Sequence, residues 1–305
     1  MKNIYILGSM NTDLAIYLER FPRPGETLRG SSFRTGSGGK GLNQAIAAAK
    51  LGGKVLFLGA VGKDAFGQSM KSELRKAGVN VSHVKTRDGV ASGVALIEVS
   101  QAENAIALDL GANERIEIGD VDAFLGKAEA GDVFLAQGEN NFEALEHALA
   151  ASHAKKMVTI LNPAPADKKM LTLLPNVDVL LPNEKEAALL SGSSDVRKGA
   201  SLLKAKTVVI TLGKDGYFAK DGDDVYSEPA VEVEVVDTTG AGDAFCGSFA
   251  FFLSGEVALK NSLRLASLYA SLETTKKGTS AAMADSKTFK AFVKKAKPDL
   301  LYLLR

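Results

Sequence analysis

Apolar positions along the chain fall into two alternating patterns. Short, nearly continuous apolar runs recur at residues 4–7, 55–58, 133–136, 158–161, 177–181 and 208–212. Runs of this length without polar alternation predict strands buried on both faces. Between them lie Ala- and Leu-rich stretches of helical period at 42–51, 66–77, 142–152, 184–190 and 196–204. The alternation predicts an α/β layer fold with a mostly parallel sheet. The last third turns helical over 242–254, 257–273 and 287–296. Two segments break the rhythm: 14–34 and 91–110 alternate apolar and polar residues, with turn signals at Pro22, Pro24, Gly25 and Ala102-Glu103-Asn104. They predict antiparallel strands outside the main sheet, joined as a small β lid on a chain otherwise read as one domain over 1–305.

Composition narrows the function classes. A formal charge of +1, from 37 basic and 36 acidic residues, gives no basic excess, so nucleic acid and anionic membranes are not expected partners. The longest apolar stretch, 244–255, is too short to span a bilayer and contains Gly247 and Ser248. The apolar run behind the N-terminus is too short for a signal peptide. A single cysteine, Cys246, permits no internal disulfide and reads as a small buried packing residue. A soluble cytoplasmic protein is expected. His83, His147 and His153 lack metal-ligand spacing and read as surface or packing residues.

The candidate chemistry centres on Asp237-Thr238-Thr239-Gly240-Ala241-Gly242-Asp243-Ala244-Phe245. Gly240, Ala241 and Gly242 let backbone N–H groups turn toward one point, where the following helix adds its positive end. Such a nest fits a transferring phosphoryl group. Asp243, in the first turn, is placed to accept a hydroxyl proton, although a helix cap is the plainer reading of an Asp after Gly.

Other motifs sit at the carboxyl ends of expected strands, where open α/β sheets bind ligands. Asn11 and Asp13, two apart in an extended segment, face one side and can read vicinal hydroxyls, or form an Asx-turn. Gly38-Gly39-Lys40-Gly41 with Asn43 reads as a close-approach turn into a helix that shows N–H groups, Lys40 and an amide to a polar ligand. Gly36 to Gly41 also matches G-x-G-x-x-G, but more than twenty residues separate it from the first strand, which weakens a dinucleotide reading. Asn183 and Glu186 fit either a capping box or a site near hydrated Mg²⁺. Thr211-Leu212-Gly213-Lys214-Asp215-Gly216 can bend around a nucleotide or serve as a simple turn.

Taken in order, Gly8 to Asp13, Gly38 to Gly41 with Asn43, Asn162-Pro163-Ala164-Pro165, Asn183 to Glu186, Asp237 to Asp243 and Lys276-Lys277-Gly278 resemble the ribokinase branch of the PfkB carbohydrate kinase family. The similarity runs from Asn3 to about Ala282. It implies a doubly wound sheet flanked by helices, a β-sheet lid over a sugar, and homodimerisation through that lid. It implies Asp243 as the base for a primary hydroxyl, with Gly240, Ala241 and Gly242 as the anion hole. Asn11, Asp13, Gly39, Lys40, Asn43 and Glu139 would serve the sugar, with Ala95 and Leu108 covering its apolar face. Asn183, Glu186, Thr211, Gly213, Gly216 and Gly242 would serve ATP, with Glu186 reaching Mg²⁺ through water. Asp237 and the Thr239 carbonyl, with backbone at Glu273, Lys276 and Gly278, would hold a monovalent cation such as K⁺. Ala281-Ala282 departs from the family's Pro-Ser pair, whose Ser helps ligate that ion; a water or a nearby hydroxyl such as Ser280 could substitute. The implied reaction is ATP-dependent phosphorylation of D-ribose at its primary hydroxyl. Another sugar (fructose, deoxyribose) or a nucleoside, a non-catalytic sugar-binding regulator, and an NAD-dependent dehydrogenase are the alternatives.

Overall fold

The computed structural model describes residues 1–101 and 103–304. Part of the turn expected at Ala102 lies outside the described residues. In chain order the elements are β1 (Ile4–Leu7), β2 (Asn11–Tyr17), β3 (Ser32–Gly38), α1 (Lys40–Lys50), β4 (Val55–Leu58), β5 (Ala60–Gly62), α2 (Ala65–Lys76), β6 (Lys85–Arg87), β7 (Gly93–Ser100) and β8 (Glu103–Asp109). They continue with α3 (Ile118–Leu125), β9 (Val133–Gln137), α4 (Phe142–Ala154), β10 (Val158–Asn162), β11 (Val179–Leu180), α5 (Glu184–Ser191), α6 (Val196–Leu202) and β12 (Thr207–Thr211). The chain then forms β13 (Tyr217–Asp221), β14 (Asp224–Glu228), α7 (Ala241–Ser254), α8 (Leu259–Glu273) and α9 (Ser286–Ala296).

The main sheet has the order β14-β13-β12-β11-β10-β9-β1-β4. Its strands are parallel from β4 to β12, and β13 and β14 add an antiparallel edge. Alternation explains why β1 is apolar throughout. Ile4 and Ile6 enter the layer with α1, α2, α7, α8 and α9, while Tyr5 and Leu7 enter the layer with α3 to α6. Val133 and Leu135 against Phe134 and Ala136 repeat the division on β9. Each fully buried large apolar side chain contributes about 1.5–3 kcal/mol, so these central strands fix the frame. The connection direction reverses at β1, which has β4 on one side and β9 on the other, and crevices form at the carboxyl ends of such switch points.

A second sheet, β3-β2-β7-β8, stands over that crevice end. It begins earlier than its alternating pattern implied. Asn11 and Asp13 are on β2 itself, so the extended reading of the pair holds rather than the Asx-turn, because the chain turns directly through Gly8–Met10 into extended structure. Residues 36–38 of the glycine run are likewise strand, paired with Asn11–Asp13, so the dinucleotide arrangement is absent. Only Gly39 makes the turn into α1, at φ 94, where a Cβ would meet Ser9 O at 2.8 Å. Sequence periodicity missed the β5–β6 pair, the helix α3 and the β13–β14 hairpin. No helix among the described residues is long and apolar enough to cross a membrane.

Candidate active site

Asp243 lies in the first turn of α7, and both of its carboxylate oxygens are held by amides. Asn43 Nδ2 donates to Oδ2 at 2.9 Å and Gln44 Nε2 donates to Oδ1 at 2.9 Å, both from α1. Gln44 is itself fixed: its Nε2 also reaches Asn162 Oδ1 at 3.1 Å, and its Oε1 accepts from Gln137 Nε2 at 2.7 Å. Asn162 Nδ2 in turn donates to the Leu181 carbonyl at 2.8 Å. Burial raises the Asp243 pKa, while Lys40 and the two amide donors pull it back. The carboxylate is thus oriented by groups that cannot take its proton. No helix-capping hydrogen bond from Asp243 is present; the N-cap is Gly240, at φ 92 and ψ −5.

Lys40 stands among acids. Burial alone would lower its pKa, but Asp243, Glu139 and Glu186 outweigh it and the net direction is upward, so the ammonium persists. Glu139 accepts from Ser9 Oγ and from the Lys40 backbone N–H at 3.2 Å. Burial raises the Glu139 pKa against the opposing effect of Lys40.

The second sheet places the remaining sugar candidates in register. Asp13 pairs with Gly36 and Ala95, and Ala95 pairs with Leu108, so the four residues form one row and share a face. Asn11 lies two positions along on the same face, its Oδ1 accepting from Asn113 Nδ2 at 2.8 Å. Burial, then Glu139 and Asp243, push the Asp13 carboxyl up to about 6. Asn43 Oδ1 is buried without a hydrogen-bond partner, as an acceptor awaiting a hydroxyl would be. Asn113, Gln44 and Gln137 carry no motif spacing, and only their buried polar positions reveal them.

Two cavities meet at the α7 N-terminus. One of about 220 Å³ is lined by Lys40, Asn162, Asn183, Glu186, Thr211, Gly240, Gly242 and Asp243. The other, about 420 Å³ and largely apolar, is lined by Thr211, Gly213, Gly216, Ala241 and Gly242, and also by residues 230–233, Val235, Phe245, Ala270 and Thr274. The expected nucleotide residues therefore border two cavities that share Thr211 and Gly242, with the walls from 230–235 and α8 unforeseen. Asn183 and Glu186 do form the reciprocal capping box: Glu186 N donates to Asn183 Oδ1 at 2.9 Å, and Asn183 N to Glu186 Oε2 at 2.8 Å. Only Oε2 is used in that cap. Cys246 is buried and its thiol pKa is raised well above the ordinary value by burial first, so it is inert packing. His147 faces Asp122 on the surface and His83 packs edge-on against Phe124.

Behind the nest, Asp237 Oδ1 accepts from Thr239 N at 3.0 Å and Oδ2 from Gly278 N at 3.0 Å. The Thr274 carbonyl accepts from Val236 N and Asp237 N at 2.8 and 3.1 Å, and the Glu273 carbonyl from Lys276 N at 3.1 Å. The 236–239 loop and the end of α8 are thus laced together. Ser280, the hydroxyl near Ala282, is engaged on the α2 side of the loop: its Oγ donates to Glu73 Oε1, and its carbonyl accepts from Lys50 Nζ at 3.1 Å. Among the described residues no group of three or more His, Cys, Asp or Glu side chains could hold a metal ion, so Mg²⁺ would rest on phosphate oxygens, waters and few protein ligands.

Comparison with known proteins agrees with this geometry. The family model "pfkB family carbohydrate kinase" matches residues 1–286. A ribokinase of Schizosaccharomyces pombe is 38% identical over 302 residues, covering 93% of this chain and 95% of the relative. A deoxyribokinase of Salmonella typhimurium is 33% identical over 301 residues, covering 95% and 98%. The structure of Arabidopsis thaliana ribokinase complexed with ribose and ATP superposes with a TM-score of 0.88 at 28% identity, covering 96% of this chain and 99% of that one. With sequence similarity along nearly its whole length and the same fold around one polar crevice, the chain belongs to the pfkB family of carbohydrate kinases.

Proposed function

We propose that this kinase transfers the γ-phosphoryl group of ATP to the primary hydroxyl of D-ribose. The observation that carries the reading is Asp243, fixed by two amide donors at the mouth of a glycine nest where a polar cavity meets an apolar one. Asn11, Asp13, Gly39, Lys40, Asn43 and Glu139 hold the sugar's hydroxyls, and Ala95 and Leu108 cover its apolar face. Asp243 accepts the hydroxyl proton as the oxygen attacks. The N–H groups at Gly240, Ala241 and Gly242, with the Lys40 charge, stabilise the phosphoryl oxygens, so catalysis is positioning and electrostatics. Thr211, Gly213 and Gly216 border the nucleotide, whose adenine suits the apolar walls. Glu186 would reach Mg²⁺ through water, and the ion would supply charge neutralisation on the phosphates. Asp237, the Thr239 carbonyl and backbone at Glu273, Lys276 and Gly278 would hold K⁺, which would add positive charge behind the nest, so K⁺ is expected to raise turnover over Na⁺ at matched ionic strength.

Deoxyribose is the second reading, supported by the similarity to a deoxyribokinase. A coupled assay of ATP consumption over ribose, deoxyribose, fructose and nucleosides decides it. Turnover with ribose no better than with the others would sink the first reading.

The second sheet supports homodimerisation. β8 is exposed along its whole length, and Ile106 and Leu108, on the sugar-facing side, are 57% and 41% exposed. A bare apolar edge strand is a pairing surface, and a second copy of the lid would cover it. Sedimentation should give a dimer that Ile106→Lys converts to monomer; a wild-type monomer at assay concentration would end the idea.

Asp13 carries a prediction with opposite signs for stability and binding. Its folded pKa, about 6, is above its unfolded value, so its favourable contribution to folding is complete below about 4 and is lost as pH rises through about 6. Asp13→Asn should therefore raise the melting temperature of the ligand-free protein at pH 8 by roughly 2–4 °C, with the difference vanishing near pH 4. The same change should raise KM for ribose by about 10- to 100-fold, since a charged acceptor is lost. A variant with unchanged KM would remove Asp13 from the pocket.

A further inference from the structure

Glu273, the last residue of α8, presents a buried carboxyl that nothing in the fold satisfies. The residue is 1% exposed, and neither Oε1 nor Oε2 has a hydrogen-bond partner. Buried charged groups are ordinarily paired or coordinate an ion, and an unsatisfied one in a folded protein calls for an explanation. Its position supplies one. A methyl group placed on Gly240 would come within 3.1 Å of Glu273 Oε1 and 3.2 Å of Thr279 Cβ, so the carboxyl lies directly behind the N-cap of α7. The charges that act on it are Asp237 and Asp243, both negative. Glu273 thus adds a third acid beside Asp237, on which Lys277 acts, and Asp243, on which Lys40 acts, and no cationic side chain is paired with Glu273 itself.

The same junction lacks an oxygen where one is expected. Ala282 has none to offer and is buried, and the Ser280 hydroxyl is turned to Glu73. Among the side chains at this junction, Glu273 is the one whose two buried oxygens have no hydrogen-bond partner, and it approaches from the helix, beside Thr279 of the loop.

We propose that the Glu273 side chain, not only its backbone, is a ligand of the monovalent cation behind the anion hole, replacing with a charged oxygen the hydroxyl missing at position 282. The site then carries two side-chain carboxylates, Asp237 and Glu273, and binds a cation more firmly than carbonyls and one carboxylate would. This deepens the cation assignment made for the kinase, and it rests on that assignment but not on the identity of the sugar.

The test reads binding directly. Thermal unfolding of the wild type, Glu273→Gln and Glu273→Ala is followed at constant ionic strength as K⁺ replaces N-methylglucamine, and Tl⁺ binding to the wild type is titrated calorimetrically with K⁺ as competitor. The wild type should show a saturable, K⁺-specific rise in melting temperature and one Tl⁺ site that K⁺ displaces. Both variants should fold at least as stably without K⁺, because an unpaired buried acid has been removed, and should need about tenfold or more K⁺ for half of the shift. Equal half-saturation in wild type and variants overturns the side-chain role, and absence of a K⁺-displaceable Tl⁺ site in the wild type overturns it even if neither variant folds. Ribose phosphorylation measured on the same wild-type preparation stands or falls separately, so loss of the cation proposal is distinguishable from loss of the kinase reading.

Discussion

Asp243→Asn should lower kcat by about 10²–10⁴-fold while leaving the fold and ribose affinity close to those of the wild type. The reason is local. The carboxylate receives one N–H from Asn43 and one from Gln44, each at 2.9 Å, so an amide of the same shape must turn its NH₂ toward one of those donors. Asn43 can absorb the change: a flip of its amide presents Oδ1 to the new NH₂ and turns its own NH₂ toward the sugar, whose hydroxyl accepts as well as donates. The hydrogen-bond network survives, and what disappears is the proton acceptor. Single-turnover kinetics with ribose and ATP, beside calorimetric ribose binding, separates the two effects. A variant that keeps turnover within a few-fold of wild type would make Asp243 a structural residue and would move the search for a base to Glu139.

How much of this was legible beforehand depends on the physical range of each signal. Continuous apolar strands and helical periods are local, so β1 and β4 were placed to the residue and the nest segment was placed at the start of α7. The second sheet was visible as alternation from residue 14, and Asn11 and Asp13 as an extended pair, but that the two make one strand follows only from their pairing with Gly36–Gly38 and Gly93–Ala95. The β13–β14 hairpin went unseen although Asp221-Gly222-Asp223 marks its turn; its outer strand is mostly exposed and carries little apolar pattern. The polar network behind Asp243 could not be read as a network, although Asn43 and Asn162 stood in motifs. Gln44, Gln137 and Asn162 come from α1, β9 and β10, and only the parallel sheet brings these amides together. Glu273 shows the same limit from the other side. In the sequence it is a polar residue at the end of an amphipathic helix, and only the crossing of α8 behind Gly240 turns it into a buried acid.

Gly240→Ala should cost about 10²–10³-fold in kcat, the effect of displacing an anion-hole donor, with a much smaller loss of ribose affinity. Gly240 adopts φ 92 at the N-cap of α7, a left-handed conformation that costs an L-residue roughly 1–2 kcal/mol. Strain alone would reduce stability without singling out the reaction. The added methyl group, however, has no free space, since Glu273 Oε1 at 3.1 Å and Thr279 Cβ and Cγ2 at 3.2 Å stand where it must go. The helix start is the softer partner, because Ala241 N is held only by the Thr238 carbonyl at 3.3 Å, whereas the loop behind is laced to α8 through Thr274 and Gly278. Relief of the clash therefore moves the N–H groups of Gly240, Ala241 and Gly242 away from the phosphoryl position. The pocket of Asn11, Asp13 and Glu139, anchored on other elements, stays in place. Ala241→Gly serves as the control: it removes a methyl group from the same turn without adding a contact, and turnover should fall by less than about tenfold. If Gly240→Ala folded with a modestly lower melting temperature and wild-type kcat, the N–H groups at this helix start would have no part in phosphoryl transfer.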